Sequence, residues 1–335
     1  MQEAAAPRWI AEESELLDLE LPDQVRSCGL KIWRARQHFD VLHEHFVAYE
    51  KSRPGRIVER ENQPDGQPPS YVVEVDPLPD IVPLVIGDLL SCCRVALDHI
   101  AWGLVPKTNR EASQNPSWMP FREQTSIKFP FLFKDPDEGG SVELNRSTAN
   151  GVWISDERAV TMLTVLQPYR GTEPLHSHPR VWLELLVQRD KHRVVTPVAV
   201  VADAFSVLSQ TSHSAGSVEL ENGDAFELPG SGPILQPYHQ IDLGVDIRFE
   251  EIADYRVRRM TRSNVTGIVG KVPRESTAEI ILAKVINLVE GQFLIARAHQ
   301  ELFTDADAAA PVHFPFTNQQ NVPPGFPPKL PKPKP

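Results

Sequence analysis

The residues with the clearest chemical potential are Arg94, Asp98 and His99, which lie in the segment 81–105, IVPLVIGDLLSCCRVALDHIAWGLV. Nearly all of their neighbours are apolar, so a helix formed by this segment would be covered on most sides. Ionisable side chains in such surroundings must be paired, because removing an unpaired charge from water is costly. The segment therefore predicts a polar centre among buried apolar residues.

A helical projection of this segment separates the three side chains. At 100° per residue, Arg94 lies roughly 80° from the centre of the apolar stripe, and His99 lies on the other shoulder, roughly 140° from Arg94. Asp98 follows Arg94 by one turn and can pair with it along the helix. We therefore expect Arg94 and His99 to reach toward different neighbours. The stripe consists of Ile86, Leu90, Cys93, Leu97, Ile100 and Leu104.

Three roles are open for this polar centre. It can hold helices in register, it can bind a small anionic ligand, or it can be catalytic through Arg94, His99 and Asp98. The spacing of Arg94 and His99 resembles the R-x4-6-H motif of HEPN nucleases. In those helical domains an arginine and a histidine cleave RNA without a metal, usually across a dimer interface. Val95 stands where those enzymes favour a polar residue.

A second charged cluster, Asp190-Lys191-His192-Arg193, follows an expected helix. Cations at the carboxyl end of a helix complement its dipole and cap its free carbonyls, which is a purely structural role. Asp190 and His192 could also complete a site with Arg94 or His99. Gln167 and Tyr169, around the proline that ends the preceding helix, are further candidates for binding.

No metal site or cofactor is predicted. His43 and His45 are two residues apart, so their imidazoles would point apart on a helix, and His176 and His178 lie in a loop without nearby acidic or thiol partners. The chain contains no GxGxxG, no GxxxxGK[ST] and no GxSxG motif. Nucleotide-dependent chemistry and α/β-hydrolase chemistry therefore have no support.

The composition and charge of the chain limit the kinds of partner that we expect it to bind. The 335-residue chain carries a net charge of −11, which argues against broad nucleic-acid binding. It has three cysteines without a disulfide framework, no secretion signal and no apolar run long enough for a membrane span, so we expect a soluble cytoplasmic protein. An interaction module is a further alternative, using the strip Arg256–Arg262 and the proline-rich tail. A homodimer stays possible, and the partners are unknown.

The expected fold class is α+β. Residues 1–20 read as a loose acidic leader, 21–305 as a single domain, and 306–335 as a disordered proline-rich tail. About four main helices form a bundle with an antiparallel sheet made mainly by residues 194–270, while a hairpin at 56–75 projects from the bundle or extends that sheet. The expected helices span 22–52, 81–105, 156–166, 179–190 and 276–303.

Several short motifs follow one another along the chain: Ile86-Gly87-Asp88, then Arg94-Val95-Ala96-Leu97-Asp98-His99, Phe129-Pro130, Gln167-Pro168-Tyr169 and Asp190–Arg193. This series resembles an uncharacterised bacterial family, largely actinobacterial, over roughly residues 25–303. The resemblance implies a shared fold and a shared polar centre, and it implies no activity. Ser91-Cys92-Cys93 stands where that family tends to carry His-Asn-Leu.

Overall fold

The part of the protein that the structure describes is mostly helical, with short antiparallel strands, which agrees with a helix-dominated α+β class. The computed structural model describes residues 8–59, 70–105, 107, 129, 156–167, 178–192, 197–201, 225–227, 245–249 and 277–308. The helices are α1 (Glu13–Leu16), α2 (Asp23–Lys51), α3 (Ile81–Gly103), α4 (Glu157–Val165), α5 (Pro179–His192), α6 (Ala278–Ala298) and α7 (Glu301–Ala308). Among these described helices, none combines the length and hydropathy needed to cross a bilayer.

Helices α2 and α3 pack closely against each other, and α6 packs against both of them and against α5. The apolar stripe predicted for α3 is buried along its whole length, with every member at most 2% exposed. The stripe of α2 is also buried; it consists of Ile32, Ala35, Phe39, Leu42, Phe46 and Tyr49. Apolar residues that are three and four positions apart in the sequence therefore form the main helix–helix interfaces.

Capping side chains fix two helix starts. The side chain of Asp156 accepts a hydrogen bond from Arg158 N at 2.8 Å and is the N-cap of α4, and Thr277 accepts from Ile280 N at 3.4 Å. The extent of the carboxyl-terminal helices differs from the prediction. The predicted single helix 276–303 stops at Ala298, and α7 then extends through Ala308 into the range assigned to the disordered tail.

The described strands form two separate sheets. Strands β1 (Gly55–Glu59) and β2 (Ser70–Val75) form the predicted hairpin, and β4 (Ala225–Glu227) pairs with β2. Strands β3 (Pro197–Val201) and β5 (Val245–Phe249) form an antiparallel pair of their own. The region 194–270 thus divides between two sheets in its described part, instead of forming one.

The alternation of apolar and polar residues in β5 is typical of a half-buried strand, but the burial of its side chains departs from that pattern. Ile247 and Phe249 are buried as expected, but Arg248 between them is only 7% exposed. Its guanidinium lies 2.9 Å from the carboxylate of Asp246. Arg248 is thus buried together with the carboxylate of Asp246 from the same strand, although the alternation of residues predicts that this cation lies on the polar face.

The prediction of a loose leader is wrong for the amino-terminal strap, which we define as residues 8–12. Glu290 of α6 is fully buried, and its Oε2 accepts from Ile10 N at 2.9 Å and from Ala11 N at 3.2 Å. Arg36 of α2 donates to Glu290 Oε1 at 2.7 Å and to Ala11 O at 2.6 Å. The strap is therefore fastened to two helices by one buried ion pair.

Substitution Glu290→Ala should destabilise the protein strongly, because it leaves Arg36 buried without its carboxylate and two strap amides without their acceptor. Breaking a buried pair on one side costs about 3–5 kcal/mol. The free energy of unfolding in urea measures the loss. The exposed Glu44→Ala on α2 is the matched control, with an expected change within about 0.5 kcal/mol.

The double variant Arg36→Met/Glu290→Leu distinguishes loss of the ion pair from loss of packing. Replacing both charges by apolar side chains leaves no charge stranded, so we expect it to be more stable than Glu290→Ala. A double variant as unstable as the sum of its two single changes would contradict this account.

Candidate functional site

Arg94 lies at the centre of an ion-pair network that joins α3 to α5. Its Nη1 donates to Glu184 Oε2 at 3.0 Å, and its Nη2 lies 3.2 Å from Asp98 Oδ1. The same Nη2 donates to Phe129 O at 3.2 Å, while Phe129 N donates to Asp98 Oδ1 at 2.8 Å. We call Arg94, Asp98, Phe129 and Glu184 the polar centre.

The polar centre matches one cation with two carboxylates and closes a hydrogen-bonded ring through the Phe129 backbone. Gln188 adds a hydrogen bond from its Nε2 to Glu184 Oε1 at 3.0 Å. Because both carboxylates already bond to Arg94, its guanidinium is poorly placed to receive an added anion. This arrangement favours a structural role for Arg94, which ties two helices and a connecting segment together.

Glu184 was not among the residues singled out from the sequence. A signal for it exists, because it is the only charged residue in the run Val181–Val187, whose other members are all apolar and at most 5% exposed. An isolated charge in such a run requires a partner. The sequence alone could not show that the partner is Arg94, because the two residues are 90 positions apart.

His99 points toward α2 and away from the polar centre. It hydrogen-bonds to the Ser27 backbone, and its Nδ1 is buried with no hydrogen-bond partner in the described part of the chain. Burial and the nearby Lys31 cation lower the pKa of His99 below its usual 6.5. Arg94 and His99 thus face different neighbours, as the helical projection predicted.

Asp190 reaches α3 at Gly87. A Cβ placed on Gly87 would lie 2.8 Å from Asp190 Oδ1, so glycine permits this close approach of α5 to α3. Two motifs of the ordered series, around Gly87 and around Asp190, therefore meet in space. Lys191 and His192 end α5, but their side chains lie outside the described part of the chain, as do Arg193 and Tyr169.

A cavity of about 300 Å³ opens beside the polar centre, between the end of α4, the start of α5 and the middle of α6. Its polar lining consists of Gln167, His178, Arg180, Asn287 and Gln292, and its apolar walls include Leu166, Leu288 and Ile295. Leu288 and Ile295 are seven positions apart and therefore lie on the same side of α6. They line the cavity and are only partly buried.

Arg180 connects the cavity to the polar centre. It is 1% exposed, and its guanidinium stacks over the Phe129 ring at 5.0 Å from the ring centroid. Burial, and then repulsion from Arg94, lower the pKa of Arg180 to about 9. A cation is therefore held at the cavity wall in surroundings that disfavour its charge.

Two side-chain amides of α6 line the same cavity, and the carbonyl oxygen of each accepts no hydrogen bond from the described residues. Gln292 is 3% exposed, and its Oε1 has no hydrogen-bond partner among the described residues. Asn287 donates from Nδ2 to Arg8 O of the strap at 3.4 Å, while its Oδ1 likewise has no partner there. Gln167 is 2% exposed and donates from its Nε2 to Leu163 O at 2.8 Å.

A second cavity is larger, about 500 Å³, but has a different chemistry. It is lined by Asp18, Glu20 and Arg297 among others, and Arg297 lies 2.6 Å from Glu15 and 3.5 Å from Asp18. The one cation in its described lining is thus matched by carboxylates. The smaller cavity is the better candidate for an anion, because its described lining contains Arg180 and no acidic residue, whereas acidic residues line the larger one.

Sequence reasoning named Gln167 but missed Arg180, Asn287 and Gln292. The two amides lie among mainly apolar residues of α6, which Lys284 and Glu290 also interrupt, and that contrast was a usable signal. Arg180 follows the proline that begins α5 and looks like an ordinary surface cation in the sequence. In the described residues, no three histidine, cysteine, aspartate or glutamate side chains are grouped as a metal site would require.

Substitution Arg94→Ala should lower the thermal midpoint far more than His99→Ala. The first change leaves two partly buried carboxylates without their cation, whereas the second removes a half-buried imidazole that faces α2. We expect about 3 kcal/mol for Arg94→Ala, which is on the order of ten degrees. Equal losses in calorimetric scans of the two variants would contradict a structural polar centre.

Stability should fall as the pH drops through the range of the two shifted histidines. Burial and Arg34 lower the pKa of His38 below 6.5, although Asp88 of α3 opposes the shift. Lys31 and burial act likewise on His99, opposed by the Ser27 backbone and Asp98. Below their usual pKa the folded state then binds fewer protons than the unfolded chain, so acid favours unfolding.

The variant His38→Gln/His99→Gln checks this sign. Between about pH 7.5 and about pH 5.5, its thermal midpoint should fall by less than that of the parent protein. A parent midpoint that rises as the pH is lowered over this range would show that the pKa values are shifted the other way.

Comparisons of the chain with protein-family models, with curated proteins and with solved structures found no match. We therefore infer the function from the geometry of the cavity and of the polar centre.

Proposed function

We propose that the protein binds a small organic anion in the cavity at Arg180, and that the polar centre is the structural support of this site. The observation that carries the proposal is the guanidinium of Arg180, buried at the wall of a cavity large enough for a small molecule. The three roles considered for Arg94, Asp98 and His99 thereby separate into a structural support and a neighbouring binding site.

Charge supports an anionic ligand. None of the described residues that line the cavity is acidic, and Arg94, although paired with two carboxylates, repels the charge of Arg180. An anion bound at the guanidinium would offset the repulsion between the two arginines, and charge-assisted hydrogen bonds to a carboxylate are among the stronger polar contacts. A bidentate carboxylate suits the planar donor fork of arginine.

The polar centre supports the site through Phe129. The backbone of Phe129 is bonded to Arg94 and Asp98, and its ring lies under Arg180. Arg94 thus positions the aromatic surface on which the ligand-binding arginine rests. This is a positioning role, and it gives a physical reason for a costly ion-pair network beside a cavity.

The alternative hypothesis is that the protein is a metal-independent ribonuclease that uses Arg94 and His99. The contacts of Arg94 with Glu184 and Phe129, and the position of His99 against α2, favour the anion site over it. The interaction module depends on Arg256–Arg262 and the tail, which lie outside the described residues.

Titration calorimetry with 4-methylpentanoate tests the proposal, with the uncharged 4-methylpentanamide as the matched probe. We expect the acid to bind at least about tenfold more tightly than the amide, because a hydrogen bond to a charged group contributes about 1.5–3 kcal/mol. Equal binding of the acid and the amide would refute the assignment of an anion site.

The variants Arg180→Met and Arg180→Lys locate the anion. The first should lose the preference for the acid, and the second should retain part of it through its charge alone. Arg158→Met, on the exposed surface of α4, is the control and should bind like the parent protein. Circular dichroism establishes that each variant is folded, and an Arg180→Met protein that still prefers the acid would exclude Arg180 as the anchor.

A further inference from the structure

We infer that the anion held by Arg180 also carries an uncharged N–H group, so that its class is that of an N-acyl amino acid with an aliphatic side chain. This inference rests on the proposed function and names the ligand class of the same cavity. It is drawn from the arrangement of Asn287, Leu288, Gln292 and Ile295 on α6.

The face of α6 toward the cavity is apolar in its middle and polar at both edges. At 100° per residue, Leu288 and Ile295 lie between Asn287 and Gln292, which are about 140° apart around the helix. An aliphatic group can therefore pack on the centre of this face. Hydrogen-bonding groups of the same ligand would then meet an amide at the edge.

Both edge amides offer an acceptor. Gln292 is 3% exposed, and its Oε1 lacks a partner among the described residues. Asn287 has its orientation set by the bond from Nδ2 to Arg8 O, which leaves Oδ1 as its unused atom. A buried acceptor without a donor costs about 1–3 kcal/mol, and a ligand N–H would recover that cost.

The donor is expected to be uncharged. A ligand ammonium would lie near the Arg180 cation, and the described lining contains no acidic residue to pair with it. An amide N–H satisfies the same acceptor without that repulsion. This consideration separates an N-acyl amino acid from the free amino acid.

Three probes titrated into the full chain test the inference: N-acetylleucine, its ester isostere 2-acetoxy-4-methylpentanoate, and leucine. The isostere replaces the N–H by oxygen and retains shape and charge. N-acetylleucine should bind at least about tenfold more tightly than the isostere, because an unpaired acceptor facing an ester oxygen is penalised. Leucine should bind more weakly than N-acetylleucine.

The variant Gln292→Met should remove the difference between N-acetylleucine and the isostere, because its side chain lacks the acceptor that favours the N–H and penalises the ester oxygen. Gln300→Met, in the exposed turn between α6 and α7, is the control and should keep the difference. Gln292→Glu supplies a negative charge and should shift the preference toward leucine, which gives a second readout if Gln292→Met is unstable.

The outcomes separate the two proposals. Equal or tighter binding of the isostere overturns the N–H requirement, while the anion site stands as long as the uncharged N-acetylleucinamide binds more weakly than N-acetylleucine. Equal binding of N-acetylleucine and N-acetylleucinamide overturns the anion site itself. Absence of binding by all of these probes overturns both.

Discussion

The fully buried carboxylate of Glu290 is the constraint on which much of the molecule depends. A charge without solvent must be neutralised and saturated with hydrogen bonds, and Arg36 together with two strap amides does this. Satisfying one carboxylate thereby draws α2, α6 and the amino-terminal segment together. The strap in turn presents Arg8 O to Asn287, so the requirement at Glu290 extends to the edge of the cavity.

A similar constraint governs the other side of the bundle, where Arg94 and Arg180 lie near one another. Two carboxylates neutralise Arg94, and the Phe129 ring covers Arg180 while its backbone bonds to the polar centre. The two arginines consequently have different surroundings. Arg94 joins α3 to α5, and Arg180 lies at the wall of the cavity.

Local patterns predicted the parts of this structure that local physics determines. The buried stripes of α2 and α3, the cap at Asp156 and the i,i+4 pairing of Arg94 with Asp98 all depend on residues close in sequence. The strap could not be found in this way, because Ile10 and Glu290 are 280 positions apart. The cavity could not be predicted for a related reason. The spacing of apolar residues shows that Leu288 faces inward, but it does not show which other elements face Leu288 across the cavity.

The strap also offers a direct view of motion in the folded protein. The amide hydrogens of Ile10 and Ala11 are held by a side-chain carboxylate and belong to no helix or sheet. Their exchange with solvent requires only that the strap lift from Glu290, whereas amides within α6 require that helix to open. Exchange rates at these two positions would thus report a local opening beside the cavity, separately from global unfolding.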